Sequence, residues 1–145
     1  MKWRKKEKRI LGGIFGIAYA TGVVLFLFSH WIRVATAVGE QHHPLEKNLR
    51  FFHSSLTYLL VFSVGYLWKA HILPGLRVRK RVSSGLVTLG TLGLLWISAL
   101  GVLYLGDLDW NARIAWIHGI VGILLPTTVF FHSKIKWWSI GDSNS

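Results

Sequence analysis

The sequence predicts an all-α membrane protein, a bundle of four transmembrane helices running up-down-up-down with both termini on the cytoplasmic side. Three observations predict it. The 145-residue chain is 52% hydrophobic and only 16% charged, too apolar for a water-soluble domain of that size. It contains four mostly apolar stretches of at least ~20 residues, the length a helix needs to cross a bilayer, at about residues 10–32, 51–73, 82–105 and 112–132. Its charge is also one-sided. With the amino terminus inside, Arg33, Lys47, Arg50 and Arg113 are the only bases outside, balanced by Glu40, Glu46, Asp107 and Asp109, so the whole formal charge of +11 is cytoplasmic. That is the positive-inside pattern.

The first apolar stretch follows a basic start that includes Lys2, Arg4, Lys5, Lys6, Lys8 and Arg9. It is too long for the core of a secretory signal, and no small-x-small cleavage site precedes Arg33, so it reads as a retained anchor. Residues 33–50 form the longest loop and carry Gly39-Glu40-Gln41-His42-His43-Pro44, a polar turn-like stretch and the candidate contact for an external partner. Pro74-Gly75 ends the second helix, and the short basic loop with Arg77, Arg79, Lys80 and Arg81 sits at the inner headgroups. Gly106-Asp107-Leu108-Asp109 makes a tight acidic turn between the last two helices. Connections this short make consecutive helices antiparallel neighbours, so residues 1–145 form a single membrane domain.

Trp3, Trp31, Trp68, Trp110, Trp137 and Trp138 fall near predicted helix ends, where amphipathic rings sit at the headgroups. Gly12, Gly13, Gly16, Ala20 and Gly22 mark the first helix, and Gly85, Gly90, Gly93 and Gly101 mark the third beside Ser84, Thr88, Thr91 and Ser98. Small residues let helices approach closely or leave room for a flat ligand, and packing alone explains them equally well.

The same features exclude several classes. A basic face confined to one side of a membrane suits anionic lipid headgroups rather than nucleic acid. Without cysteine the chain forms no disulfide, no thiolate metal site and no covalent haem linkage. The four apolar stretches hold no Asp or Glu, whereas proton- or cation-coupled carriers place a carboxylate in the membrane.

Histidine is the main ionisable residue of the spans, and intramembrane polar groups are functional candidates. His53 and His71 lie 18 positions apart on the second helix, which at ~100° per residue is about five whole turns. His118 and His132 lie 14 apart on the fourth, about 40° short of four turns. Each pair shares a face, and the two helices run parallel. His53 and His118 therefore belong to the outer half of the membrane, and His71 and His132 to the inner half. Two histidines facing each other at one depth supply the axial nitrogens of a low-spin b-type haem, so two levels hold two non-covalent haems. The levels are separated by roughly 21 Å along the fourth helix and roughly 27 Å along the second. Helix tilt or haem inclination absorbs the difference, or one level takes another partner, for which His30 near the outer end of the first helix is the alternative. Gly122, one turn from His118, leaves room for a porphyrin, and Pro126 disturbs the bond to its carbonyl. Thr57, Leu60, Val64 and Leu67 fill the face between His53 and His71. Arg50 and Arg113 outside, and Arg77, Arg79 and Lys134 inside, are candidate partners of haem propionates, with interfacial snorkelling the plainer explanation. His42 and His43 read as loop residues.

Through His118-Gly119 and His132, fourteen apart on the last helix, the chain resembles the four-helix membrane cytochromes b: the bacterial cytochrome b561-like proteins and the b-type gamma subunits of respiratory formate dehydrogenases and hydrogenases. The family often draws one ligand from the first helix. Here that helix has no histidine near its inner end, and His71 takes the place, so that the second and fourth helices supply all four ligands, as in the bc-type cytochromes b. The resemblance implies two haems b held by His53, His118, His71 and His132 in a bacterial cytoplasmic membrane. It also implies a quinone as one electron partner. The function expected is electron transfer across the membrane between the quinone pool and an outer-face partner, a c-type cytochrome or an oxidoreductase subunit. With so little material outside the bilayer the chain has no room for a catalytic domain of its own and reads as a subunit of a larger complex. The alternative is a haem-free structural or assembly subunit, in which glycines and histidines only pack helices.

Overall fold

The computed structural model describes residues 5–37, 39–78 and 82–134. Four helices are long and apolar enough to cross a membrane, and the chain is a multi-pass, all-α membrane protein. It divides between Tyr66 and Leu67 into two compact units.

The first unit is a helical hairpin closed by a small β-hairpin. Helix α1 (Lys5–His30) begins within the basic start, earlier than the apolar stretch alone suggests. Strands β1 (Arg33–Thr36) and β2 (Gly39–His42) follow, paired antiparallel with Arg33 opposite His42 and Thr36 opposite Gly39. Gly39 has a φ of 109°, which residues with a Cβ rarely adopt, and the Thr36 hydroxyl donates to its carbonyl at 2.7 Å. Gly39–His42 is thus a strand paired with Arg33–Thr36, where the sequence suggests that Gly39 to Pro44 is a polar turn. Helix α2 (Pro44–Leu67) starts seven residues before the apolar stretch. Pro44 stands at the first helical position, where a missing N–H costs nothing. The His43 Nδ1 accepts from the Leu45 N–H at 3.1 Å, and Glu46 places a negative charge in the first turn.

Glu46 ties this end of the unit together. Only 4% exposed, its carboxylate accepts from the Ser29 hydroxyl at 2.9 Å, from Arg50 at 2.7 Å and from the His42 ring at 2.6 Å. One buried group therefore joins the last turn of α1, strand β2 and the first turns of α2.

The second unit opens with a π-helical turn, Trp68–Ile72, followed by the short α3 (Leu73–Val78). The sequence signal ends the second helix at Pro74-Gly75, yet the helical chain runs on to Val78. In a regular helix the proline ring clashes with the carbonyl four residues back. Here the turn ahead of Pro74 is widened, with the Leu73 N–H reaching the Trp68 carbonyl, and a π turn next to a proline is a common way to accommodate it.

Helices α4 (Val82–Tyr104) and α5 (Leu108–Lys134) form a tight antiparallel pair. A methyl group on Gly101 would lie 3.0 Å from Ile114 Cγ2, and the Thr88 hydroxyl donates across the pair to the Thr128 carbonyl at 3.3 Å. The acidic turn is built by two caps. Asp107 accepts from the Trp110 N–H at 2.9 Å, and the Asn111 amide donates to the Val102 and Leu105 carbonyls at 2.8 and 3.2 Å. Asp107→Ala is expected to cost roughly 1 kcal/mol, read as a lower unfolding midpoint in detergent. Helix α5 continues through Pro126 without interruption.

Burial is inverted relative to a soluble protein. Among the described residues the buried side chains are Ala18 and Val64 beside the polar Glu46, Ser63, Ser84 and Ser98, while Phe62 is 78% exposed. An apolar exterior over a partly polar interior is what lipid as solvent requires. Trp31, Trp68 and Trp110 are exposed near helix ends, as expected of interfacial anchors. Trp3, Trp137 and Trp138 lie outside the described residues.

Candidate functional site

Three of the four predicted ligand histidines share one local arrangement: Nδ1 of the ring meets a hydroxyl on the neighbouring helix. In the first unit His53 of α2 meets Thr21 Oγ1 of α1 at 3.1 Å. In the second unit, within the α4–α5 pair, His118 meets Ser98 Oγ at 2.9 Å and His132 meets Ser84 Oγ at 3.0 Å.

The hydroxyl protons decide which tautomer this selects. Thr21 donates to the Ile17 and Ala18 carbonyls at 2.9 and 3.1 Å, and Ser98 donates to the Leu95 carbonyl at 3.0 Å. A hydroxyl has one proton and two acceptor lone pairs. With the proton committed to the backbone, each oxygen accepts from the imidazole, so Nδ1 carries the hydrogen and Nε2 keeps its lone pair. That is how a metal-binding histidine is usually prepared: the far nitrogen donates to a fixed acceptor, which orients the ring and raises the basicity of the near one.

Two glycines sit against the same rings. A methyl group on Gly22 would stand 3.0 Å from His53 Cε1, and one on Gly85 would stand 3.3 Å from His132 Cε1. The small residues there accommodate imidazoles. A methyl group on Gly12, Gly13, Gly16, Gly90 or Gly93 would meet nothing within 4 Å, and one on Gly122 would meet only Leu95 Cδ2 at 3.7 Å.

Within the second unit His71, on the π turn, and His132 face each other with ring centroids 6.0 Å apart and planes at 77°. Two imidazoles bound to opposite sides of one metal, with metal–nitrogen bonds of roughly 2 Å and roughly 1 Å more from nitrogen to ring centroid, stand roughly 6 Å apart. The pair fits that spacing. Among the described residues no three His, Asp or Glu side chains converge to hold a free metal ion.

The same-face arithmetic for His53 and His71 assumes regular α-helical pitch, which Trp68–Ile72 does not have. On α2 itself, His53, Thr57 and Leu60 are partly buried and Val64 is buried, whereas Tyr58, Leu59, Val61 and Phe62 are exposed. The predicted inward face of that helix is present.

His30 is engaged locally. Its Nδ1 lies 2.9 Å from the Phe26 carbonyl of its own helix, and its ring packs 4.4 Å from that of Phe26. It stands eight residues, or roughly 12 Å, beyond the Gly22 level at which His53 meets α1, so within the first unit the two do not share a level. His42 and His43 serve the β-hairpin and the α2 cap. Of the candidate cations, Arg50 is bonded to Glu46 and Arg113 lies 5.4 Å over the Trp110 ring. Arg77 and Lys134 are exposed, and Arg79 lies outside the described residues.

Sequence reasoning misses the roles of Thr21, Ser84 and Ser98. A signal is present for two of them: Ser84 and Ser98 are separated by fourteen residues, as are His118 and His132, so an antiparallel pair that joins one couple joins the other. Comparison with protein families, characterised proteins and solved structures finds no match for this chain.

Proposed function

We propose that the chain is a b-type cytochrome subunit that carries electrons across the membrane between a quinone pool and a redox partner on the outer face, through two bis-histidine haems. The observation that carries this reading is the opposed pair His71 and His132, at 6.0 Å between ring centroids. Their imidazoles would hold the inner haem and, by the sequence pattern, His53 and His118 would hold the outer one; Nδ1 of each of these two is engaged by a hydroxyl, which leaves Nε2 to ligate. When bound, the haems supply the one-electron chemistry.

The protein's part is to orient, insulate and neutralise. Ser84, Ser98 and Thr21 set the rings. Leu60 and Val64 keep water from the face between the levels. Arg77 and Lys134, near the His71 and His132 end, are the cations for propionates. The setting is a bacterial cytoplasmic membrane with both termini inside, as the positive-inside pattern supports. A c-type cytochrome or an oxidoreductase subunit docks at the outer β-hairpin.

Full-length protein purified in detergent is expected to give a b-type α band in its reduced-minus-oxidised spectrum, with two haems per chain. A second signature comes from the ligand planes. At 77° the planes of the two imidazoles are close to perpendicular, an arrangement that would leave the two iron d orbitals of π symmetry nearly degenerate. The inner ferric haem is therefore expected to show the strongly anisotropic low-spin resonance of perpendicular ligands. A colourless protein would return the chain to the scaffold reading.

A further inference from the structure

We infer that Ser98 and Thr21 are positioning residues that set the reduction potentials of the haems; the inference rests on the haem reading above and deepens it.

The hydroxyls do more than fill an interface. Ser84 and Ser98 are among the few buried side chains of the described protein, at 7% and 5% exposure, in a molecule whose exterior is apolar. A buried hydroxyl needs a partner, and a backbone carbonyl of its own helix is always within reach of serine or threonine in a membrane helix. Thr91 behaves in this ordinary way, donating to the carbonyl four residues back, and Thr88 shares its one proton between the Ser84 carbonyl of its own helix and the Thr128 carbonyl of α5. Thr21 and Ser98 donate to a carbonyl of their own helix and in addition offer the oxygen to an imidazole on the next helix. The carbonyl bond matters to the chemistry because it orients the oxygen lone pairs toward Nδ1–H. Cooperative polarisation along carbonyl, hydroxyl and imidazole strengthens the second bond in a low-dielectric interior.

The consequence for a bound iron has a definite sign. An acceptor on Nδ1–H shifts electron density toward Nε2 and makes it the stronger donor. A stronger donor favours the ferric over the ferrous state, so Thr21 and Ser98 would each lower the potential of the haem that its histidine would hold. Removing either hydroxyl raises that potential. Second-shell losses of this kind also typically weaken metal binding by roughly 10–100-fold.

The test is an optical redox titration of the full-length protein carrying Ser98→Ala or Thr21→Val, with Ser98→Thr and Thr21→Ser as the rescuing set. Each apolar variant is expected to move one of the two haem components to higher potential and leave the other in place. The hydroxyl-bearing variants are expected to titrate close to the wild type. Where an apolar variant loses its haem altogether, the hydroxyl-bearing variant at that position decides: recovery of haem at the wild-type potential supports the inference, and failure to recover overturns it for that residue. Wild-type protein that binds two haems whose potentials are the same with and without the hydroxyls overturns the inference and leaves the haem reading standing. Wild-type protein without haem overturns both.

Discussion

On the proposed haem reading, His132→Ala is expected to halve the haem content of the purified protein, from two per chain to one, while the chain still inserts and is recovered in the membrane fraction. The effect is large because a bis-histidine iron that loses one ligand loses half of its protein bonds. The damage is selective because the other level depends on different residues. The cost to the fold is modest. Ser84 loses its partner on α5, a neutral hydrogen bond of about 1 kcal/mol, whereas Thr88 to Thr128 and the Asn111 bonds still join α4 and α5. His118→Ala is expected to remove the other haem, and the double substitution both. His42→Ala and His43→Ala, in residues engaged in the β-hairpin and the α2 cap, are expected to leave two. Retention of both haems after the double substitution would show that the ligands lie elsewhere. Loss of one haem from His30→Ala would place that residue among them.

Glu46→Ala is expected to destabilise the first unit by roughly 2–3 kcal/mol, in the range of hydrogen bonds to charged groups. The carboxylate is buried and takes bonds from three elements of the chain. Full loss of a buried ion pair costs more, about 3–5 kcal/mol, but the Arg50 and His42 side chains are 50% and 58% exposed and regain water when Glu46 is removed. Glu46→Gln, which keeps an acceptor oxygen, is expected to lose less. The measurement is the unfolding midpoint in detergent together with limited proteolysis at residues 33–42. An unchanged midpoint and an unchanged cleavage rate for Glu46→Ala would contradict the role given to it.

The four apolar spans are legible in the sequence because lipid imposes length and composition on a helix directly, and the observed helices contain nearly all of each predicted span. Their ends are not. Pro44, His43 and Glu46 start α2 well before Phe51 because capping chemistry, unlike hydropathy, is carried by polar residues. Pro74-Gly75 reads as a stop because a proline normally ends a regular helix; the widened turn at Trp68–Ile72 removes the clash on which that rule depends. At the site, the spacing of His118 and His132 is legible as a face. Their hydroxyl partners are not, because serine in a membrane helix nearly always has a carbonyl to bind and announces nothing by being there. Glu46 reads as one of four external acids, since its burial depends on Ser29, His42 and Arg50 arriving together.

The tight connection between α4 and α5 bears on how the chain is assembled. Only residues 105–107 separate the two helices, so closing them against each other costs little chain entropy, and their pairing is local in sequence, which favours fast formation. Both couples, Ser98 with His118 and Ser84 with His132, complete themselves within this one segment. The 53 described residues 82–134 therefore hold within one local helical pair everything that orients these two imidazoles.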